Sequence, residues 1–378
     1  MNYSLATIWY ERHRFLPAIL AVGFSALLIA VQGGLVIGLL SMMSLPIDKS
    51  LADVWVGYPG VRSVDLGRPI PARWVSRVAA HPQVRRVDPC MIGFSLWTRI
   101  DRDRTPATPE VITVVGARLD PDSLGAVAAL RENPELLVKL AEPGAVAVDE
   151  SELGRLGIEG PGAQADVLGR RAKVVGLVQG YKSLGGPYVF CSVETARWLL
   201  KDPGSGVTYL LAECIHPSHA PVVAAQLNQF GRMEAFTAEE FSLRSRMHWL
   251  FTTKAGIAVG FTALLGLLVG AVVTSQTLYA ATAASQREFA TMRAMGIPSW
   301  RLQLTVLSQS FWVGFFGILI AAPIAVMIAE AANRFGTAVR LHPLVVLAAA
   351  VITMGMALLS GFAALRSFQG VDPAHNLR

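Results

Sequence analysis

Few side chains in this sequence stand at spacings that support chemistry. Gly176–Ser183 reads Gly-Leu-Val-Gln-Gly-Tyr-Lys-Ser and superficially resembles a phosphate-binding loop. Such a loop needs G-x-x-x-x-G-K-[ST], with the lysine directly after the glycine to reach phosphates cradled by backbone N–H groups. Tyr181 separates Gly180 from Lys182, so the stretch reads as a strand running into a turn. Asp149, Glu150 and Glu152 cluster after a strand-like run, where a solvated turn and helix start accounts for them. Neither H-E-x-x-H nor G-x-S-x-G occurs, the seven histidines are scattered singly, and no Cys/His group has zinc spacing. Cys90, Cys191 and Cys214 permit one disulfide with one thiol left over, or three small buried residues. No catalytic or metal-binding residue is expected, and the chain is not expected to be an enzyme.

The sharpest local pattern is one of docking. It runs Gln286-Arg287-Glu288-Phe289-Ala290-Thr291-Met292-Arg293-Ala294-Met295-Gly296-Ile297-Pro298-Ser299-Trp300. Phe289, Met292 and Met295 recur every three residues, while Arg287, Glu288 and Arg293 decorate the other side. Gly296 is placed as a C-terminal cap and Pro298 stops continuation, so the segment predicts a short amphipathic helix at a membrane surface. It is either a basic interfacial turn or a docking helix whose Met and Phe side chains enter a groove on a cytoplasmic partner. Three further patterns, Gly34-x-x-x-Gly38, Gly256-x-x-x-Gly260 and Gly266-x-x-x-Gly270, let backbones approach closely. These glycines are candidate helix-packing residues, within one chain or between two. Gln32, Gln276, Gln303 and Gln309 read as hydrogen-bonding links between helices.

The elements that carry these patterns are membrane spans. Hydrophobic residues make up 53% of the 378 residues and charged ones 16%, well below the roughly 25% charged of soluble domains. Four stretches carry no charged side chain: Phe15–Ile47, Ala255–Gln286, Leu302–Ala329 and Leu341–Leu365. Each exceeds the roughly 20 apolar residues a spanning helix needs. Spans are therefore expected at 16–45, 255–284, 302–329 and 342–365. The first reads as a retained signal anchor, since Ser41-Met42-Met43-Ser44 offers no small-x-small cleavage site. Arg12, Arg14, Arg287, Arg293, Arg301, Arg366 and Arg378 flank one side, against Arg334 and Arg340 on the other. That asymmetry puts both termini (1–15 and 366–378) and the loop 285–300 in the cytoplasm, with residues 48–250 outside. The net charge of +6 thus reads as topology and contact with the bilayer surface, not as nucleic-acid binding. With no Asp, Glu, Lys or Arg in the charge-free spans, energy for any transport is expected from another chain.

Residues 48–250 predict an α+β domain of two lobes. Strand alternation at Ala52–Tyr58, a helix from Pro71 to His81 and a strand pair or one long bent strand over Val84–Ile100 form one β-α-β half. Val207–Cys214, Pro217–Phe230 and Met233–Phe236 repeat the order. A split ferredoxin-like lobe (51–110 and 205–237) is expected around an inserted lobe (111–200), which has strands at Ile112–Val115, Ala145–Val148, Lys173–Val178 and Tyr188–Cys191. Phe241–Trp249 is expected to continue the helix of the second span outward as a stalk.

These residues resemble the permease subunits of ABC systems of the MacB/FtsX/LolC type. Arg287–Leu302 (REFATMRAMGIPSWRL) is similar to that family's segment between its second and third spans. Val371–Arg378 is similar to its DPAEALR ending, with His375 and Asn376 departing from it. The insertion (Ala145–Asp149, Leu156–Ile158, Val174–Val178, Tyr188–Phe190) resembles the family's outer domain. Trp9–Arg14 followed by Val31-Gln32-Gly33-Gly34 is similar to the DevC-like exporters. The resemblance implies a multi-pass protein of the bacterial inner membrane, paired with a second permease copy and bound to a cytoplasmic ABC ATPase dimer. Arg287, Glu288, Phe289, Met292, Arg293 and Gly296 would then form the coupling helix that touches the ATPase. No cofactor binds this chain in that picture, ATP and Mg belonging to the ATPase. The missing phosphate loop fits a split system and departs from MacB, where ATPase and permease are fused. DevC-like and MacB-like members also use a periplasmic adaptor and an outer-membrane channel. The function implied is export of a lipid, lipopeptide or amphipathic small molecule by mechanotransmission. An FtsX-like regulator that activates a cell-wall hydrolase without moving cargo is the alternative.

Overall fold

The computed structural model describes residues 3–100, 108–183, 185–202, 204–284, 291–292, 295–334 and 339–368. Among them, four helices are long and apolar enough to cross a membrane. They are Arg12–Met43, Lys254–Ala283, Ser299–Arg334 and Pro343–Phe368. The chain is a membrane α-helical protein with a large sheet-rich domain between its first and second spans, as its charge-free stretches predicted. It divides into two compact units, 1–38 with 257–378, and 39–256.

Within the membrane unit, small residues bring the helices together. Gly23 and Gly317 meet backbone to backbone, where a Cβ on either would stand 3.1 or 2.9 Å from the other helix. Gly314 lies against Met354 and Ala357, and Gly361 against Ser310. With no hydrophobic drive between helices in lipid, such close approach supplies the dispersion contact that holds them. Arg14 donates to the carbonyl of Ala281 (3.0 Å from Nη2) and to Glu11 Oε2 (2.6 Å). A cation thus sits beside a carbonyl in the last turn of the second span, where the helix dipole favours positive charge.

The sheet domain contains eleven strands among its described residues. These are β1 (Val54–Gly57), β2 (Ile70–Pro71), β3 (Val84–Arg99), β4 (Glu110–Ala117), β5 (Ala145–Asp149) and β6 (Gln164–Val167). They continue with β7 (Arg170–Val178), β8 (Tyr188–Ser192), β9 (Gly206–Val207), β10 (Tyr209–Cys214) and β11 (Glu234–Thr237). Nine form one sheet in the order β11-β1-β10-β3-β4-β8-β5-β7-β6. Each neighbouring pair among the first four is antiparallel, and the four order themselves as a split β-α-β sheet. Val54, Val56, Leu210 and Ala212 bury one face with residues of helices Trp74–Ala79 and Ala220–Asn228. Trp55, Tyr209 and Leu211 bury the other, as the two-residue side-chain period of a strand requires.

The segment 84–99 is one long strand. Val84–Cys90 pairs with β10 and Met91–Trp97 with β4, so β3 joins the two expected lobes in one continuous sheet. Its end pairs again with β6, Trp97 opposite Val167. The strands β3-β4-β8-β5-β7-β6 therefore close on themselves and leave no open edge at that end. Trp97, Val114, Val146, Val174 and Val189 belong to the buried cluster of these strands, and the Trp97 indole donates to Leu156 O at 3.2 Å.

Candidate functional site

The docking segment is partly described. Arg287, Glu288, Phe289 and Arg293 lie outside the described residues, as does the ending Val371–Arg378. Thr291 and Met292 are helical. Met295 N donates to Thr291 O (3.1 Å) and Ile297 N to Met292 O (3.2 Å), while Gly296 has φ +88°. This six-to-one bond over a left-handed glycine is the Schellman stop, and it satisfies a carbonyl the helix end would orphan. A side chain at Gly296 would be strained there. Met295 is 69% exposed and Trp300 55% exposed, with Arg301 over the Trp300 ring at 5.2 Å.

The packing glycines fall in different settings. Gly266 lies against Gln32 and Leu28, and Gly270 against Ile29 and Ser25, so the first two spans approach each other there. Gly34 meets Val339, Arg340 and Leu341. Gly38 is buried in the first span and Gly260 half-buried in the second. Gly256 meets its own chain: a Cβ would collide with the carbonyl of Trp249. Of the four glutamines, Gln309 is buried, Gln32 and Gln303 half-buried, and Gln276 exposed.

A second constellation, unseen in the sequence, lies in the sheet domain at the foot of the first span. The helix ends at Met43, and a one-turn helix Leu45–Asp48 follows with Pro46 in its first turn. Ser44 is fully buried and donates to Asp48 Oδ2 at 2.7 Å. The other partners come from the helix Ala238–Thr252. Ser242 donates to Asp48 Oδ1 (2.6 Å), Arg246 Nη2 to Asp48 Oδ2 (2.5 Å), and Arg246 Nε to Ser44 Oγ (2.7 Å). A carboxylate that accepts three charge-assisted bonds fixes two chain segments to each other. The Tyr188 hydroxyl on β8 adds a bond to Met42 O at 3.0 Å.

The same helix is set firmly into the sheet. Its start is a capping box, with Thr237 Oγ1 accepting from Glu240 N and Glu240 accepting from Thr237 N. Phe241, fully buried, stacks on Phe236 at 5.0 Å and 7°, with Tyr209 at 5.6 Å and Trp55 at 5.8 Å. Ser245 accepts from Val64 N (3.1 Å), and the Trp249 indole donates to Asp65 Oδ1 (3.2 Å). The expected uninterrupted stalk is corrected at Thr253, whose backbone is extended (φ −90°, ψ 145°). Its Oγ1 donates to Trp249 O (2.6 Å) and accepts from Gly256 N (3.0 Å), closing a tight joint before the second span begins at Lys254.

Two of the three clustered acids are buried rather than solvated, while Glu150 stays exposed and accepts from Gln179. Asp149 is buried; its Oδ1 accepts from the backbone and hydroxyl of Ser151, its Oδ2 from Tyr181 N at 2.6 Å. Glu152 is buried too, and burial raises its carboxyl pKa against the opposing pull of Arg155 and Lys182. The three cysteines are free and buried. Burial pushes the Cys90 thiol up to about 12 and Cys214 up to about 11, with Asp88 and Asp53 adding to each. Inert structural thiols result.

Comparison with known proteins places part of this architecture. Residues 260–373 match the family described as FtsX-like permease, C-terminal. No curated protein matches the chain. Among solved structures, the periplasmic region of MacB from Actinobacillus actinomycetemcomitans is similar at 11% identity and TM-score 0.34, over 55% of this chain and 97% of that one. The extracellular domain of the noncanonic ABC-type transporter YknZ from Gram-positive bacteria is similar at 8% identity and TM-score 0.33, over 49% and 99%. A domain of a putative permease protein from Porphyromonas gingivalis follows at 12% and 0.29, over 52% and 97%. The FtsX-like match takes in most of the second span, the capped loop and the last two spans.

Proposed function

We propose that this chain is the permease subunit of an ATP-driven exporter that acts by mechanotransmission on a lipid, lipopeptide or amphipathic small molecule. The carrying observation is the FtsX-like match over 260–373, which encloses the capped segment ending at Gly296. In this reading the chain sits in the bacterial inner membrane with both termini and the 285–300 loop in the cytoplasm, in keeping with its basic flanks. A dimeric ATPase, which binds ATP and Mg, docks on Arg287, Glu288, Phe289, Met292, Arg293 and Gly296. Two permease copies face each other above it. A periplasmic adaptor and an outer-membrane channel complete the path where the system has them. ATPase closure moves the spans, and the Ser44–Asp48–Ser242–Arg246 bonds pass that movement into the sheet domain as a unit. The chain itself does no chemistry.

The test is co-purification with its ATPase. Met292→Asp with Arg293→Glu places an acid among the apolar contacts and reverses a charge, so ATPase association should be lost while the sheet domain melts unchanged. Undiminished association would refute the docking role.

A further inference from the structure

Apart from the bonded joint, the sheet domain has a cleft of ≈ 690 Å³ between the loop 58–68 and β3, within the range of small-molecule sites. Its apolar rim is Tyr58, Leu66 and Phe94, which are 42%, 45% and 40% exposed. Its polar groups are Arg62, Asp65 and Arg68. Among the described residues neither arginine has a carboxylate partner; Arg68 lies over the Tyr58 ring at 5.7 Å. Asp65 accepts from Ser63 Oγ and from the Trp249 indole on Oδ1, yet its Oδ2 is buried with no partner. The carboxylate thus keeps acceptor capacity beside the two arginines, which favours a donor on the ligand.

The loop is held in shape before any ligand arrives. Gly60 sits at φ +83° and its N–H donates to Glu234 Oε2 at 2.5 Å. Leu66 N bonds Ser63 O at 3.0 Å. The Tyr209 hydroxyl donates to Val64 O at 2.8 Å, and a Cβ on Gly67 would strike that same tyrosine. Such rigidity lowers the ordering cost of binding. It also ties the cleft, through Asp65 and Trp249, to the helix that bonds the foot of the first span.

We infer that this cleft binds a single amphiphile whose head carries a phosphate beside a hydrogen-bond donor. The phosphate meets Arg62 and Arg68, which as guanidiniums suit its oxygens. The donor, an ammonium or hydroxyl, pairs with the Asp65 carboxylate that lines the cleft, and the chain lies along Tyr58, Leu66 and Phe94. The inference names a cargo class for the export reading and rests on that reading for its role in transport.

The test uses the full chain in a neutral maltoside detergent, with bound adducts counted by native mass spectrometry. Lysophosphatidylethanolamine and lysophosphatidylglycerol should each bind once per chain. Lysophosphatidylcholine, which has the phosphate but no donor in its head, should bind more weakly; equal affinity overturns the headgroup assignment. Inorganic phosphate alone should compete poorly; competition equal to that of the lysolipid overturns the role of the apolar rim. Arg62→Glu with Arg68→Glu should weaken binding by about tenfold or more, since one hydrogen bond to a charged group is worth that much. Unchanged binding overturns the site. Both arginines are exposed, so this variant should melt like the parent. ATPase co-purification separates the two proposals. In the parent chain, no lipid binding with ATPase retained removes the site alone, whereas lipid binding without ATPase removes the export reading alone.

Discussion

Replacing Asp48 tests whether the foot of the first span and the helix leading to the second act as one body. Asp48 accepts from Ser44, Ser242 and Arg246, at 2.5–2.7 Å. The Asp48 and Arg246 side chains are 31% and 33% exposed, so their ion pair is screened and contributes about 1 kcal/mol or less. Two hydroxyl bonds to the carboxylate add roughly another 1 kcal/mol after solvent competition. Asp48→Ala should therefore cost about 2 kcal/mol. For a domain the length of Leu39–Gly256, each kcal/mol moves the melting midpoint by about 2–4 °C, giving a fall of about 4–8 °C. Asp48→Asn keeps one acceptor and should lose about half as much. In a double-mutant cycle with Arg246→Ala, the coupling energy should be about 0.5–1 kcal/mol. Apparent midpoints of the full chain in detergent read both the loss and the coupling energy. ATP hydrolysis by the bound ATPase in response to cargo reads transmission, and it should be uncoupled in Asp48→Ala at temperatures where the domain is folded. A coupling energy indistinguishable from zero, with cargo response intact, would refute the joint as a transmitter.

Phe241→Ala empties an aromatic site that is 0% exposed and should cost about 3–5 kcal/mol, lowering the midpoint by about 10 °C. Leu243→Ala, 55% exposed on the same helix, should stay within about 1 kcal/mol, and equal losses would contradict the packing. Glu152→Gln should flatten a pH dependence. Because burial raises the folded pKa above 4.5, the native state holds its proton more tightly. Stability is then full in acid and is lost as pH rises from the ordinary carboxylate range through the raised value. Thermal melts of the glutamine variant should show a gain over the parent that grows with pH; a gain confined to acid would contradict this.

Much of the membrane half was legible because lipid leaves the backbone few choices. Roughly 20 uncharged residues without a break must become a spanning helix, and each of the four charge-free stretches contains one such helix among the described residues. The stop at Gly296 was legible for a similar reason, since a glycine followed closely by Pro298 reports a local backbone preference. The capping box at Thr237 and Glu240 carries the same kind of short-range signal. The four-strand half of the sheet followed from alternation and order along the chain.

Other features depended on residues that local pattern cannot bring together. Strand β6 shows only four residues of weak alternation, and its place is set by pairing with β7 on one side and with the far end of β3 on the other. Gly23 and Gly317 match no short motif and meet only because two helices cross at that point. Asp48 could be noticed in the sequence as the first charge after a long neutral span, but its partner Arg246 lies 198 positions away. Thr253 reads like any other residue of a stalk until its hydroxyl closes the bend onto Trp249 and Gly256. Periodicity, caps and charge-free length are properties of neighbouring residues, so the amino-acid sequence alone determined the spans and their stops. Which distant polar groups share a carboxylate, and where a helix yields, is decided by contacts between segments, and those exist only once the chain has folded.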